Sequence, residues 1–583
     1  MITEFYTYKV EKLPISFKTP EGKIYPKTIA LTFLEKNNKE VSYIELGYIP
    51  IVDIYEQIHN LEDINLDYCY VENFSLTAYR KIFELKKQSV VKIKSFSAKH
   101  AFFDARIKND FSHSQFENGN VNFEGVHFIR GTLDFGASKF GEGNKNFSYL
   151  FVKEATINFS SVNFGNGNVN FKNAVFHEGD KNFQDAVFGK GERNFSNADF
   201  GNGNVFFIHT TYDEGKTIFK ITRFGQGIVD FHYAKFTKGN ISFERTEFGP
   251  GNVDFSKIEF GAGRINFNRA VFQGENISFE GAELSSGRLI AKKCEFGTGN
   301  LNCEFINFEN ANIILDSVNL QERKISFNNS VINELSMEGC NFNNYVDLRV
   351  KKCKSLNLKE TTVRDIVDML PHENELKIEA FNFSGMRLLG ILLVEWKRNN
   401  LFPLISNQKD TSVLQKAEQF RTLKKNFSDT GRYNDEDAAY VEFKRYEARA
   451  KLQAAKKEKP VQRIGYYIVH FLQWLVFDKI GQYATNPIRV LTSMFFVYAT
   501  FATTYAILLW LKWGDIVSGI GGTHAEIGIV AKSFFFGAIT FLTIGYGDFY
   551  PMGAVRVLSG IEGFVGVFMM SYFTVAFVRK ILR

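Results

Sequence analysis

Phenylalanine recurs at every twelfth position through the first half of the chain. A second ladder of apolar residues, mostly phenylalanine, follows five positions behind the first. Gly/Asn strings such as residues 165–168 separate the rungs. A fixed period that combines stacked apolar residues with turn-forming corners indicates a solenoid. The first ladder is Phe111, Phe123, Phe135, Phe147, Phe159, Phe171, Phe183 and Phe195, in phase to Phe279, and the second begins with Phe116, Phe128 and Phe140.

The size of one solenoid coil follows from the volume of these rings. Twelve residues form too small a coil to enclose two phenylalanines, so we expect two repeats of the ladder, or 24 residues, in each coil. The apolar register persists with smaller residues beyond the last ladder phenylalanine, and we place the solenoid at residues 111–375. Residues 1–110 are less regular and are predicted to cap its exposed edge.

Composition and spacing argue against several functional classes. None of the glycine-rich turns opens a helix, and no Gly-x-Gly-x-x-Gly string is followed by an acidic residue at the spacing of a dinucleotide-binding site. This argues against a phosphate-binding or dinucleotide-binding loop. The 10 histidines are scattered and no nucleophile pair is evident, so we expect no enzyme activity, resident cofactor or metal site. The five cysteines lack paired spacing, which favours reduced thiols in a cytosolic compartment. The formal net charge of +6 is too modest to suggest nucleic-acid binding.

A six-residue string near the C-terminal end could bind a cation. Its two glycines permit backbone angles that a Cβ would hinder. Successive carbonyl oxygens can then point one way and replace the hydration shell of an ion. The hydroxyl of the first residue can add a further oxygen. The string consists of Thr543, Ile544, Gly545, Tyr546, Gly547 and Asp548.

Two apolar stretches flank this string. Residues 490–511 carry no charge, and residues 557–578 carry only Glu562. Each is long enough for a helix to cross a hydrocarbon core about 30 Å thick. Residues 526–540 are predicted to form a short helix that ends at the string, where its dipole would direct partial negative charge towards a cation.

The string between two spans resembles the two-transmembrane potassium-channel family, over roughly residues 482–583. The resemblance implies an all-α pore domain, which we place at residues 488–583, with potassium as the permeant ion and a homotetramer of cyclic symmetry. It also implies a hinge glycine in the second span. The hinge candidates are Gly560, Gly563 and Gly566, and the candidates for support of the pore helix are Thr540 and Glu562.

The repeat unit Ala174-Val175-Phe176 resembles the pentapeptide-repeat family, in which a small residue lies two positions before the large inward one. Five-residue faces alternate here with seven-residue faces, so the match is to a variant of the strict pattern. The resemblance implies a parallel β-solenoid.

Helical periodicity replaces the repeat between the solenoid and the first span. We predict a helical linker hairpin at residues 376–460 and an interfacial helix on the inner leaflet at residues 461–487. Basic residues flank both spans, which predicts that the two termini lie in the cytoplasm. We expect the chain to lie in the cell (inner) membrane. The start of the chain is polar and does not resemble a signal peptide. The flanking cations are Arg463, Lys479 and Arg489 before the first span and Arg579, Lys580 and Arg583 after the second.

The sequence therefore predicts a multidomain protein: a cytoplasmic β-solenoid, a helical linker and a two-span potassium channel. The solenoid either organises the oligomer or senses an unknown cytoplasmic ligand or protein. We expect any control of the pore to pass through residues 464–487 rather than through the end of the second span. The alternatives are a membrane-anchored solenoid scaffold and a non-selective cation channel.

Overall fold

The computed structural model describes residues 5–154, 156–320, 322–371, 377–455, 460–518 and 527–582, without the side chains of residues 460–463. The chain divides into two compact units, Met1–Gln408 and Lys409–Arg583. The first is a parallel β-solenoid with an N-terminal cap, and the second is helical. The predicted boundary at residues 375 and 376 and the predicted pore-helix start at Glu526 lie outside the described residues.

An antiparallel meander covers the first coil. Strands Thr7–Leu13, Lys27–Leu34 and Glu40–Tyr48 pair in sequence order. The third of them continues in parallel onto Cys69–Glu72, the first rung of one solenoid face, so the meander occupies an edge that would otherwise be open. A small hairpin and two helices complete this region. They are Phe17–Lys18 with Ile24–Tyr25, α1 (Ile51–His59) and α2 (Leu76–Ile82).

The length of one regular coil is set by its parallel pairings. Val121 pairs with Lys145, and Lys145 pairs with Val169. The same interval separates Asn144 from Asn120, whose Oδ1 accepts the Asn144 N–H across 24 residues of chain. The expected coil of two ladder repeats, rather than one, is therefore confirmed. The ladder of parallel strands runs from Asp63–Asn65 to Ile391–Leu393, so it extends past residues 111–375 at both ends.

The strands lie on four faces of the coil. The first face contains Cys69–Glu72, Phe102–Asp104, His127–Arg130, Phe151–Glu154, Val175–Glu178, Arg223–Phe224, Glu247–Phe248, Val271–Phe272, Glu295–Phe296, Asn341–Phe342, Thr362–Val363 and Arg387–Leu388. The second contains Lys108–Asp110, Thr132–Asp134, Ile157–Asn158, Lys181–Asn182, Val205–Phe206, Val229–Asp230, Val253–Asp254, Asn276–Ser278, Gly299–Asn302, Arg323–Ser326, Val346–Asp347, Ile366–Asp368 and Ile391–Leu393. The third contains Val91–Ile93, Ser114–Phe116, Lys139–Phe140, Val187–Phe188, Thr211–Tyr212 and Lys235–Lys238. The fourth contains Asp63–Asn65, Ser95–Ser97, Val121–Asn122, Lys145–Asn146, Val169–Asn170, Arg193–Asn194, Thr217–Ile218 and Ile241–Ser242. Longer strands then span the third and fourth faces together: Glu259–Asn266, Glu283–Ile290, Asn307–Ile314, Val331–Ser336, Lys352–Asn357 and Lys377–Asn382.

The phenylalanine ladder fills the interior in two geometries. Rings one coil apart stack, as Phe171 and Phe195 do at 5.1 Å and 2°. Rings half a coil apart meet edge to face, as Phe183 and Phe195 do at 6.3 Å and 89°. Both geometries are favourable for aromatic pairs. Phe195 and Phe200 are fully buried, which confirms that the two ladders face inward.

The corners of the coil explain the spacing of the ladder. The residue two positions after a ladder ring adopts a left-handed backbone, as Ala137 does after Phe135. Where the residue before the ring carries a side-chain oxygen, that oxygen accepts a bond across the same corner, as Asn146 Oδ1 does from the backbone N–H of Ser148 at 3.1 Å. Elsewhere the coils approach so closely that a Cβ at Gly215 would overlap the backbone oxygen of the preceding coil.

The second unit begins with a helical hairpin and continues into two long apolar helices. Ser412 and Gln415 form a capping box at the start of the hairpin. Among the helices in the described part of the chain, two are long and apolar enough to cross a membrane. The helices are α4 (Val413–Asp429), α5 (Tyr433–Ala455), α6 (Pro460–Leu472), a π-helix (Gln473–Lys479), α7 (Pro487–Trp510), α8 (Ile529–Phe541) and α9 (Ala554–Ile581), preceded in the first unit by α3 (Leu401–Ser406). A short antiparallel pair, Gly514–Ser518 with Phe549–Gly553, lies among α7, α8 and α9.

Candidate pore site

The end of α8 delivers the chain into residues 543–548. The N–H of Ile544 donates to the carbonyl of Ile539 at 2.9 Å, and the N–H of Thr543 donates to the carbonyl of Thr540 at 3.1 Å. Thr543 itself has φ 55°. These two bonds around a left-handed residue form a Schellman motif, which satisfies helix-end carbonyls while reversing the chain. Thr540, predicted to support the pore helix, therefore contacts the string through its backbone oxygen.

The backbone of the string alternates in handedness. φ is positive at Thr543, Gly545 (65°) and Gly547 (77°), which are every second residue. An extended strand points its successive carbonyls to opposite sides, whereas this alternation allows them to turn towards the same side. Within the described part of the chain, a Cβ at either glycine would meet no atom within 4 Å. The Tyr546 side chain is 70% exposed. The string is thus largely exposed in the single chain.

Glu562 connects the three helices around the string. Its side chain is fully buried, and its Oε2 accepts a 2.6 Å hydrogen bond from the hydroxyl of Tyr505 on α7. Its Oε1 lies close to α8, since a Cβ at Gly537 would be 3.5 Å from it. The Tyr498 hydroxyl on α7 also donates to the backbone oxygen of Phe534 on α8, at 3.0 Å. The carboxyl group therefore lies behind the helix that leads into the string.

The three hinge candidates differ in their surroundings. A Cβ at Gly566 would overlap the carbonyl oxygen of Phe541, the last residue of α8. A Cβ at Gly560 or Gly563 would meet nothing within 4 Å among the described residues. Gly566 consequently permits the close approach of α9 to α8, a role distinct from bending.

Comparison with protein families identifies the nature of this region. Residues 505–583 match the family model described as an ion channel. The C-terminal region contains an ion-channel domain. The match includes α8, the string, α9 and the end of α7, so the membrane helices belong to a channel. Comparisons with curated proteins and with solved structures found no match. The N-terminal region is a parallel β-solenoid consistent with a pentapeptide-repeat-like fold.

Three side chains of types that can bind a metal ion lie together on the solenoid surface, and the scattered spacing of the histidines along the chain did not indicate this cluster. One potential ligand atom from each of Asp230, His232 and Asp254 lies within 4.8 Å of the others. Burial raises the pKa of Asp230, and Asp254 in the next coil adds to this effect. Both carboxylates already act as turn acceptors, because Asp230 Oδ1 accepts the N–H of His232 at 2.8 Å and Asp254 Oδ1 that of Ser256 at 2.7 Å. The two carboxylates are neighbours because Asp230 and Asp254 occupy equivalent positions in successive coils, which pair side by side.

The solenoid interior also contains an apolar cavity of about 40 Å³. It lies where Ala291 and Cys303 occupy positions that hold Phe267 and Phe279 one coil earlier. The two smaller side chains do not fill the volume of the missing rings.

Proposed function

We propose that the chain forms a potassium-selective channel, in which residues 543–548 are the selectivity filter. The alternation of positive φ at Thr543, Gly545 and Gly547 carries this proposal, because it allows a row of backbone carbonyls to coordinate a dehydrated cation. The C-terminal end of α8 points its partial negative charge towards the same site. In this proposal the chain is not an enzyme and needs no cofactor beyond the permeant ion.

The functional unit is a homotetramer in this proposal. One chain can supply one wall of a filter, and the exposed string needs further walls to enclose an ion. Large side chains of the string and of α9 are exposed in the single chain, including Tyr546 (70%), Val557 (71%) and Phe564 (77%). Four copies around one axis would cover the string and the surfaces that face a neighbouring copy. The remaining exposed apolar surfaces would face lipid.

Both termini lie in the cytoplasm, and the protein lies in the cell (inner) membrane. The support comes from charge: Arg489 is in the first turn of α7, and Arg579 and Lys580 are in the last turn of α9. The exposed apolar side chains of α6, such as Ile468 and Phe471, suit a helix that lies against lipid. Addition of an impermeant protease to intact cells should spare tags at both ends.

Ion flux in vesicles tests the function. Purified full-length protein is reconstituted in lipid vesicles, and efflux is recorded under a potassium gradient and, separately, under a sodium gradient. We expect flux driven by potassium and none driven by sodium. Equal fluxes would favour the non-selective cation channel, and the absence of both would favour the membrane-anchored scaffold.

The solenoid organises the tetramer or senses a cytoplasmic ligand or protein. Its stacked apolar core, in which each coil packs on its neighbours, suits an organising element. Replacement of the first unit by a flexible polar linker separates these roles. A loss of tetramers would indicate organisation, and intact tetramers with an altered open probability would indicate regulation.

A further inference from the structure

The linker helix α5 contacts the end of α9. Asp437 Oδ1 lies 2.9 Å from Nη2 of Arg579, and its Oδ2 lies 3.4 Å from Nζ of Lys580. Lys580 also donates to Asn434 Oδ1 at 3.0 Å, and the Arg579 guanidinium lies 4.6 Å from the centre of the Tyr440 ring. We call these five residues the α5–α9 contact. Their side chains combine charge-assisted hydrogen bonds with a cation–π interaction.

The principal ion pair of this contact is shielded from water. Only 11% of the Asp437 side chain and 21% of the Arg579 side chain are exposed. Breaking a shielded pair leaves a charge without compensation, which costs more than breaking a pair in water. The contact therefore favours one position of the end of α9 over others.

The same helix also holds the segment that leads into α7. Arg445 on α5 donates from Nη2 to Asp478 Oδ1 of the π-helix at 2.7 Å, and its Nε lies 3.0 Å from Oδ2. Its Nη1 donates to Glu442 at 2.7 Å. These bonds raise the pKa of Arg445, with the bond to Asp478 as the largest cause. One helix, α5, thus binds both the segment that leads into α7 and the end of α9.

A second connection joins that approach to α9. The backbone N–H of Ala484 donates to the Tyr572 hydroxyl at 2.9 Å, and this hydroxyl donates to the backbone oxygen of Phe477 at 3.2 Å. Tyr572 lies two turns before Arg579, about 10 Å along the helix. A rotation or translation of this part of α9 would strain both connections.

We propose that the α5–α9 contact controls opening of the pore, so that the linker hairpin acts directly on the end of the second membrane helix. This inference rests on the proposed channel function. It differs from the expectation that control passes through residues 464–487 rather than through the end of the second span, since Asp437 and Arg579 provide a route that bypasses those residues. The physical requirement is that the contact differs in energy between the open and closed states.

Single-channel recording from the full-length protein in lipid bilayers tests this proposal. Asp437→Asn should change the ratio of open to closed time by about tenfold, the size of a typical coupling energy. Asp437→Glu, which keeps the charge, should stay near wild type. Exchange of the two charges in Asp437→Arg with Arg579→Asp should return the ratio towards wild type.

A matched control removes another carboxylate from the same helix. Glu447 pairs within α5 with Lys444 and Lys451, so Glu447→Gln should leave gating unchanged. If Asp437→Asn fails to assemble, Arg579→Gln removes the same pair from the other side. An unchanged open-to-closed ratio in these variants, or a change confined to single-channel conductance, would overturn the inference and leave the channel proposal intact. Absence of current from the wild type would overturn both.

Discussion

The hydroxyl of Tyr505 on α7 donates a 2.6 Å hydrogen bond to Glu562 on α9, and both side chains are fully buried. A charged or polar group inside a membrane helix is costly unless it is hydrogen-bonded, and such groups are commonly functional. The bond fixes the spacing between the two membrane helices behind α8. It therefore stabilises the position from which the string emerges.

Tyr505→Phe removes only the donor of this bond. The buried carboxyl oxygen then lacks its partner, so we expect a loss of about 1–3 kcal/mol in the stability of the pore unit. Thermal unfolding in detergent and potassium flux in vesicles measure the effect. Tyr466→Phe, at an exposed tyrosine of α6, is the control and should behave as wild type. Unaltered melting in Tyr505→Phe would contradict the assigned role.

Phe195→Ala tests the aromatic core. Phe195 stacks between Phe171 at 5.1 Å and Phe219 at 4.7 Å, so its removal should cost about 3–5 kcal/mol. Hydrogen exchange should increase in the neighbouring coils and stay unchanged in the membrane helices, because coils contact only their neighbours. Phe305→Ala removes an exposed ring from the same solenoid and should have little effect. Equal effects of both substitutions would contradict the packing.

Ala291→Leu tests the cavity. The added side chain can occupy the space left by the missing rings, so we expect stabilisation of about 1 kcal/mol, from the cost of a cavity of this volume. Ala186→Leu makes the same change at a fully buried position outside the cavity and should destabilise by overpacking. Denaturant titration of the two variants against wild type measures the difference. Destabilisation by both would show that the cavity cannot accept a leucine.

The shifted pKa of Lys181 should make the stability of the solenoid depend on pH in the alkaline range. Burial lowers its pKa from the ordinary 10.5 to about 8, while its ammonium group donates to the backbone oxygen of Asn202. Between these values the unfolded chain binds more protons than the folded chain, so stability rises with pH across this window. Lys181→Met should reduce the rise between pH 8 and 10.5, and the exposed control Lys235→Met should not. An equal slope in wild type and Lys181→Met, measured by chemical denaturation, would contradict the assignment.

Some features of this structure can be predicted from the sequence, either because they repeat or because they are long. The ring volume at Phe195 and its equivalents requires a coil of two ladder repeats, and the apolar length of α7 and α9 identifies two spans. Contacts between residues that are distant in the chain cannot be predicted from the sequence in this way. Asp437 and Arg579 are 142 residues apart, and their pairing depends on how helices rotate against each other. The left-handed corners are equally hidden, since one of them holds Ile221, a β-branched residue that disfavours this conformation.

The reversal potential with potassium on one side of a bilayer and sodium on the other tests the central claim most directly. For the wild-type protein we predict a reversal potential displaced strongly towards the equilibrium potential of potassium. Gly547→Ala should abolish this displacement or the current itself, because a Cβ disfavours the left-handed backbone at that position. Gly465→Ala, in the exposed helix α6, should leave it unchanged. A wild-type reversal potential near zero, or unaltered potassium selectivity in Gly547→Ala, would contradict the assignment of residues 543–548 as a potassium filter.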